Sequence, residues 1–494
     1  MRRIVIVGAG VVGASVARVL SEYEGLEIHL VEKEADVGWG ASKANTGILH
    51  AGYDDEPEKY PLRAELCVEG NRLWRRWSEE LGIPVKWTGS LVAAFSDEEV
   101  RTLEELLRRG MANGVPGLRI VEGEELRRLE PNLSPNAVAA LWAPTAGVIS
   151  PWDAVIALVE NAVANGVKLH VLTRVTSVKV KEGRVLGVET DKGFIRADWV
   201  INAAGVYADN IARMAGAGGF MIRPRRGEYL VFDKDAWPKA RRVLFPTPRP
   251  GTKGVVVVTT VHGNLMIGPN AEDLPRNFKD CVETTSRGLE YVWKEASRLV
   301  CQLPPRNRVI RVYAGLRPEP EGGDFIIGES EEVKGFINLA GIRSPGFTAA
   351  PAIALRAAEI IMKAEGSLPK KRRLAVRRVR AGRLAELSWA EKAKLARKKP
   401  GYGVIVCKHE LVSMAEVEEA LDRIMEIGAF PTIDGVKYRT RATMGVCQGG
   451  FCRLKIAAAI ARRLGIPVWK VTVKGPGSEI GVGDVKALLR EAEG

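Results

Sequence analysis

The chain has 494 residues, 46% hydrophobic and 27% charged, with a formal net charge of +13. That balance excludes a disordered or fibrous chain and is too much sequence for one ordinary core, so two to four domains are expected. Residues 367–400 hold thirteen Lys or Arg against two Glu. Most of the excess charge therefore lies in one connecting stretch and accompanies no nucleic-acid recognition motif. It reads as a solvated linker, or as a docking strip for an acidic partner or membrane surface.

Met1-Arg2-Arg3 leads directly into an apolar strand pattern, without the long apolar run of a signal peptide. No apolar run reaches membrane-spanning length. A cytoplasmic location is expected, with any membrane association reached through a partner. Gln302 and Gln448 are the only glutamines, while Arg, Glu and Val abound, a bias found in thermophilic proteins.

In chain order, residues 1–33 read as strand, glycine turn, helix, strand, and helix resumes near Leu62. Residues 85–147 suggest a short strand, an amphipathic helix around Asp97–Arg109 and a loop rich in Pro and Asn. A helix at Val155–Asn165 precedes a strand at Lys168–Val171 and a hairpin, Val175–Val180 and Arg184–Thr190, about Gly183. Trp199–Ala203 is a strand ending at Gly205. Residues 220–320 are mostly strands, with one helix near Thr285–Val300. Strands at Phe325–Gly328 and Phe336–Ala340 lead to a helix at Ala352–Glu365. After the basic stretch come a strand at Val404–Val406 and helices around Met414–Ile427 and Cys452–Leu464. There is no internal repeat.

Gly8-Ala9-Gly10-Val11-Val12-Gly13 follows a strand and opens a helix. Gly8 permits the tight turn, Gly10 lets a diphosphate approach the backbone, and Gly13 lets helix and strand pack closely. The helix N-terminus offers partial positive charge to the phosphates. A second strand, Glu27–Val31, ends at Glu32, placed to accept hydrogen bonds from a ribose. No second fingerprint supports a separate nicotinamide domain.

Further segments add to that fingerprint: Ala197–Asp209 with its Asn-Ala-Ala-Gly core, Arg226-Gly227-Glu228-Tyr229, and Ala314-Gly315-Leu316-Arg317-Pro318. Together they resemble the D-amino-acid-oxidase-type flavoprotein family over roughly residues 1–365. Asn45–Gly52 and Leu62–Gly70 resemble its L-2-hydroxyglutarate dehydrogenase and glycerol-3-phosphate dehydrogenase branch. The resemblance implies FAD. It adds Ser42, Lys43, Asn45, Thr46 and Gly47 to the expected cofactor contacts, and also Val175, Ala204, Gly205, Gly315 and Arg317. Gly341, Ser344, Gly346, Phe347 and Thr348 form a glycine-rich approach to a helix start, suited to the reduced flavin's negative edge.

Oxidation of a hydroxyl needs a base for its proton and cations for the substrate's anionic group. His50, in the segment resembling the flavin-contact loop, ranks first as base, and His262 second. His29 and His170 lie in strands and read as structural. Arg317 is the best anion holder, since a guanidinium grips a carboxylate or phosphate bidentately, unless it pairs with Glu228 or Asp324. Lys43, Arg226 and Arg343 are secondary candidates.

Of six cysteines, Cys67, Cys281 and Cys301 are scattered and read as small buried residues, not a disulfide framework. Cys407, His409, Cys447 and Cys452 have metal-ligand spacing. Their surroundings, from residue 400 to 455, resemble the bacterioferritin-associated-ferredoxin-like [2Fe–2S] domain of anaerobic-type glycerol-3-phosphate dehydrogenases. That pattern has Cys where His409 stands. A Cys3His [2Fe–2S] cluster, a structural zinc ion and a lost metal site all remain open.

The expected architecture is α/β and α+β. A Rossmann-like FAD-binding domain (1–84, 148–215, 325–366) is interleaved with a mixed-sheet substrate domain (85–147, 216–324). A basic linker (367–400) and a small helical Cys-rich domain with its tail (401–494) follow. The expected activity is oxidation of sn-glycerol 3-phosphate by FAD, with electrons passed through the tail metal to a protein or quinone-linked partner. The alternatives are an L-2-hydroxyacid dehydrogenase (2-hydroxyglutarate or lactate), an amine oxidiser and a non-catalytic FAD-binding electron-transfer subunit.

Overall fold

The structure, a computed structural model, describes residues 1–249, 252–378 and 382–483. It contains two compact units. The first comprises Met1–Val31, Gly38–Lys168 and Arg174–Arg378. The second comprises Glu32–Val37, Leu169–Thr173 and the described residues from 382 onward.

In the first unit, the strand Arg2–Val7 buries Ile4, Val5, Ile6 and Val7 in succession. A strand covered on both faces reads as a continuous apolar run, and parallel sheets bury both faces. Its neighbours are parallel: Leu26–Val31 on one side and Trp199–Asn202 on the other. Phe336–Ala340 continues the sheet in parallel, and Ile326–Glu329 closes that edge antiparallel. The helix Val11–Leu20 is buried along its whole length and packs against the helices Pro151–Ala164 and Gly346–Glu365.

A second, mixed sheet of nine strands is built from both sides of the sequence. Val243–Pro246 pairs in parallel with Ser90–Ala94, joining an antiparallel group from residues 85–147 to one from residues 220–320. Alternation then fills both faces. Leu91, Leu244, Val257 and Ile267 share one cluster with the helix Ser286–Leu299, while Val92, Val243, Val256 and Met266 share the other. The sequence suggested a single short strand in 85–147, but the segment supplies Val85–Lys86, Ser90–Ala94, Arg119–Glu122 and Ala139–Ala143. Leu-Val-Ala-Ala and Ala-Ala-Leu-Trp-Ala carry no polar alternation, because both of their faces are covered. The long strands Ile222–Phe232 and Val309–Pro320 pair antiparallel, setting Gly227 opposite Gly315 and Arg225 opposite Arg317.

The second unit is helical around a short hairpin, Ile405–Cys407 with Val412–Ser413. Its helices are Trp389–Lys398, Met414–Glu426, Ile433–Thr440 and Arg453–Leu464. The stretch expected as a linker thus contains a helix, started by a capping box in which Ser388 and Glu391 satisfy each other's backbone N–H groups. The helix Ile433–Thr440 was also unexpected; it is short, and Thr432 caps it through Gly435 N–H. Among the described residues no helix is long and apolar enough to cross a membrane.

Buried ion pairs hold this unit. Arg439 reaches Asp36 at 2.5 Å with both side chains almost wholly out of solvent (0% and 1% exposed). Arg441 pairs with buried Glu410 at 2.8 Å, and Phe430 N–H donates to the Ala35 carbonyl at 2.9 Å. Removing one partner of a dry pair strands the other charge, whereas replacing both removes the desolvation cost as well. Arg439→Met should therefore lower the unfolding free energy by about 3–5 kcal/mol. The double variant Asp36→Leu/Arg439→Met should recover most of the loss, both read by chemical denaturation.

Candidate active site

Gly8 carries φ +103°, and a Cβ there would lie 2.6 Å from the Ala203 carbonyl oxygen. A Cβ at Gly13 would overlap the Gly8 carbonyl oxygen. The turn and the first helix are thus in contact through backbone alone, as the fingerprint requires. The helix has no acidic residue in its first turn and no side-chain cap on Gly10. Val11 N–H donates instead to Ser42 Oγ at 2.9 Å, which brings Ser42 to this helix start. Gly205 opens a single 3-10 turn after Ala204. Val175 packs with Val7 and Val31 at the ends of the two fingerprint strands. Glu32 follows the second strand directly, and its carboxylate accepts from Glu34 N–H at 3.0 Å. A turn without side chains beside a helix start without acids fits the diphosphate of FAD.

The next segment has little regular structure and is fixed by polar and steric contacts. Asn45 donates to Ser42 O at 2.8 Å and accepts from Gly47 N–H at 2.7 Å. Tyr313 OH donates to Asn45 O at 2.9 Å. A Cβ on Gly315 would overlap the Ala44 carbonyl, so the strand Val309–Pro320 lies flush on this loop only because that residue is glycine. Lys43 sits over the Trp39 ring at 4.7 Å.

His50 is held at both ends of its peptide unit. Its N–H donates to Thr348 Oγ1 at 3.0 Å, and its carbonyl accepts from Asn71 Nδ2 at 2.9 Å. His50 Nε2 lies 3.4 Å from Ser344 Oγ, and Nδ1 lies 3.6 Å from Asp54 Oδ2. Lys253 Nζ is 2.9 Å from the same carboxylate oxygen. Burial pushes the Asp54 carboxyl up, but Lys253 and His50 together hold it well below the ordinary carboxylate range. The helix Gly346–Glu365 begins six residues earlier than expected, so Gly346, Phe347 and Thr348 lie in its first turn. Trp74 fixes that turn by stacking on Phe347 at 5.6 Å and donating to its carbonyl at 3.1 Å. Gly341 carries φ +66° just before the turn.

Arg317 donates to the Asn270 carbonyl at 3.2 Å and lies against Gly227. Burial raises the Tyr229 hydroxyl, and Arg317 beside it opposes the rise. Neither suggested carboxylate pairs with Arg317. Glu228 accepts from Thr285 and Asn270, and Asp324 accepts from the backbone of Leu62 and Arg63. Among the described residues Arg317 makes no ion pair with a carboxylate. The secondary candidates differ: Arg226 pairs with Glu272 at 2.7 Å and Arg343 with Glu319 at 2.8 Å. Burial lowers the Arg343 guanidinium, Glu319 opposes this, and Arg63 and Arg317 nearby add to the lowering.

His262, the second candidate base, has a buried ring stacked on Trp152 at 5.8 Å, with Asp153 Oδ2 at 4.0 Å. Asp54 and Lys253 were missed from sequence. Asp54 stands four residues after His50, but outside a helix that spacing carries no orientation, and the Lys253 partner is remote in the chain.

The tail residues are only partly gathered. Cys407 and Cys452 are buried and share a hydrogen bond that holds Cys407 below the ordinary thiol range and pushes Cys452 up. Cys447 is half-buried in the preceding loop, and His409 is exposed. Among the described residues no three His, Cys, Asp or Glu side chains converge as metal ligands. As placed, Cys407 and Cys452 meet and Cys447 lies near enough to raise Cys452 further, but the four expected ligands do not close into one set that fits a [2Fe–2S] cluster or a zinc ion.

Comparison with known proteins bears on the whole chain. A glycerol 3-phosphate dehydrogenase from Caloramator mitchellensis is 42% identical over 99% of this chain and 99% of its own. The mitochondrial L-2-hydroxyglutarate dehydrogenase of Mus musculus is 32% identical over 54% of this chain and 60% of its own. The solved structure of dithionite-reduced L-alpha-glycerophosphate oxidase from Mycoplasma pneumoniae with FAD bound has a TM-score of 0.71 and 32% identity. It covers 76% of this chain and 98% of that one. Residues 3–360 match the family described as "DAO: FAD dependent oxidoreductase", and with the glycine turn, the acid-free helix start and the parallel sheet in place, the chain belongs to that family of FAD-dependent oxidoreductases.

Proposed function

We propose that the chain oxidises sn-glycerol 3-phosphate to dihydroxyacetone phosphate. The observation that carries this reading is the pairing state of Arg317. Arg317 has no carboxylate partner among the described residues, whereas Arg343, Arg63 and Arg226 are each paired. One uncommitted guanidinium suits a substrate with its anion at one end, such as a phosphate monoester. A 2-hydroxydicarboxylate needs a cation at each end.

Bound FAD supplies the two-electron acceptor. His50 Nε2, beside Ser344, takes the hydroxyl proton, and Arg317 holds the phosphate. The apolar contact of His50 with Phe245, at 5.8 Å between rings, helps keep water from the base. The comparisons support an acceptor other than oxygen. The oxidase structure covers nearly all of itself but only 76% of this chain, while the dehydrogenase spans 99%. The tail is thus shared with that glycerol 3-phosphate dehydrogenase, and in this reading a protein or quinone-linked acceptor takes the electrons. No step runs through a tail metal, since the residues there do not fit one.

Anaerobic addition of glycerol 3-phosphate should bleach the flavin absorbance within the mixing time of a manual assay. L-2-hydroxyglutarate, lactate and proline should leave it unchanged, and bleaching by one of those in place of glycerol 3-phosphate would reassign the substrate. Arg317→Gln should cut kcat/KM for glycerol 3-phosphate by about 100-fold, the loss of one charged, bidentate contact. Gly13→Val should yield folded protein with little bound flavin, read from the ratio of flavin to protein absorbance, because its side chain forces helix and turn apart.

A further inference from the structure

The backbone of His50 is fixed by Thr348 and Asn71, but those bonds leave its ring free to turn. Only side chains fix the ring, and Asp54 faces Nδ1. Resting on the reading of His50 as base, we propose that Asp54 is a positioning residue: its carboxylate, tethered by Lys253, keeps the imidazole proton on Nδ1 and leaves Nε2 as the acceptor beside Ser344.

The side chains of His50, Asp54 and Lys253 are 11%, 15% and 22% exposed, so the three charges interact with little screening. Lys253 is 2.9 Å from Asp54 Oδ2 and His50 Nδ1 is 3.6 Å from it. Lys253 thus keeps the carboxylate ionised and in place, and the imidazole takes the second interaction. Asp54 is also fixed through its main chain, whose carbonyl accepts from Arg109 at 2.8 Å. Beside Asp54 and Lys253 lie the Tyr53 hydroxyl and the Cys67 thiol, with the Asp55–Arg63 pair next to Cys67, while Arg317 is given to the substrate anion in the proposed reading. Burial pushes the first two up, so both stay neutral, and the third is internally balanced. Asp54 is the carboxylate left to act on the ring. In the proposed step the substrate O–H bond breaks and an N–H bond forms on Nε2. The carbon–hydrogen bond gives its electron pair to bound FAD as hydride, and a C=O bond forms. Asp54 remains ionised and stabilises the imidazolium.

The test uses the flavin-loaded full chain and stopped-flow flavin reduction by glycerol 3-phosphate across pH. Asp54→Asn should slow reduction by about 100-fold while dihydroxyacetone phosphate still perturbs the flavin spectrum with a Kd within threefold of wild type. Its kcat/KM acid limb should move to lower pH, since losing the anion disfavours the imidazolium. Lys253→Met, which frees the carboxylate for the ring, should move that limb to higher pH. A merely structural role would shift neither limb. Wild-type reduction rate and pH profile in Asp54→Asn, with His50→Gln inactive, would overturn the positioning role alone. Full activity in His50→Gln would instead overturn the base assignment on which the role rests.

Discussion

The segment from Gly38 to Asp54 carries Ser42, His50 and Asp54, yet only Ile48 and Leu49 of it lie in a strand. Such a loop is accurate only if its surroundings over-determine it, and here they do so chiefly through backbone. Gly315 lets the strand Val309–Pro320 touch the Ala44 carbonyl, and Gly47, at φ +66°, lies against the Ile149 carbonyl. Gly70 does the same where the helix Pro61–Leu81 meets the turn at Thr348. Each contact depends on a missing Cβ, so the site's precision rests on glycines that take no part in chemistry. Hydrogen bonds from Asn71, Thr348 and Tyr313 then set the remaining freedom.

Buried charge is handled in two ways: by matched ion pairs in both units, and by hydrogen bonds alone at Glu228. In the second, Arg439 with Asp36 and Arg441 with Glu410 are matched pairs of near-zero exposure. They satisfy one another and leave nothing for a ligand. At Glu228, in the first unit, hydrogen bonds from Thr285 and Asn270 satisfy the carboxylate, which makes no ion pair with Arg317. That arrangement leaves Arg317 to a backbone carbonyl and a tyrosine hydroxyl, neutral partners that compete weakly with an anion, as its proposed role requires.

The fingerprint unit was legible in the sequence because its signals are local: an apolar strand, three spaced glycines and an acid after the next strand. His50, Arg317 and the glycine-rich helix approach were named as candidates with the help of family resemblance, and the structure places Thr348 and Ser344 on either side of His50. The sheet halves were harder. Ser90–Ala94 and Val243–Pro246 pair across more than a hundred residues, and a strand buried on both faces lacks the alternation that marks strands in sequence. Asp54 and Lys253 could not be linked for the same reason: their relation exists only once the two sheet segments are assembled. The capping box at Ser388 was readable and was obscured by the lysines that follow it.

Cysteine spacing was a weaker guide than sequence pattern suggested, and the reason lies in what holds the tail together. A small metal domain usually draws its folding energy from the metal, so its ligands must converge. This unit has its own core: Val406, Val412, Val417, Leu421, Ile424, Ile433, Val436, Ile456 and Ile460 are all buried. Capped helices and dry ion pairs add to it. Within such a frame Cys407 on the hairpin and Cys452 at the start of the helix Arg453–Leu464 are brought together by the packing of those two elements, as small buried side chains are. Cys447, half-buried, and His409, exposed, lie outside the regular elements. The fold's stability therefore does not require the four residues to meet, and the spacing between them constrains sequence without by itself constraining a site.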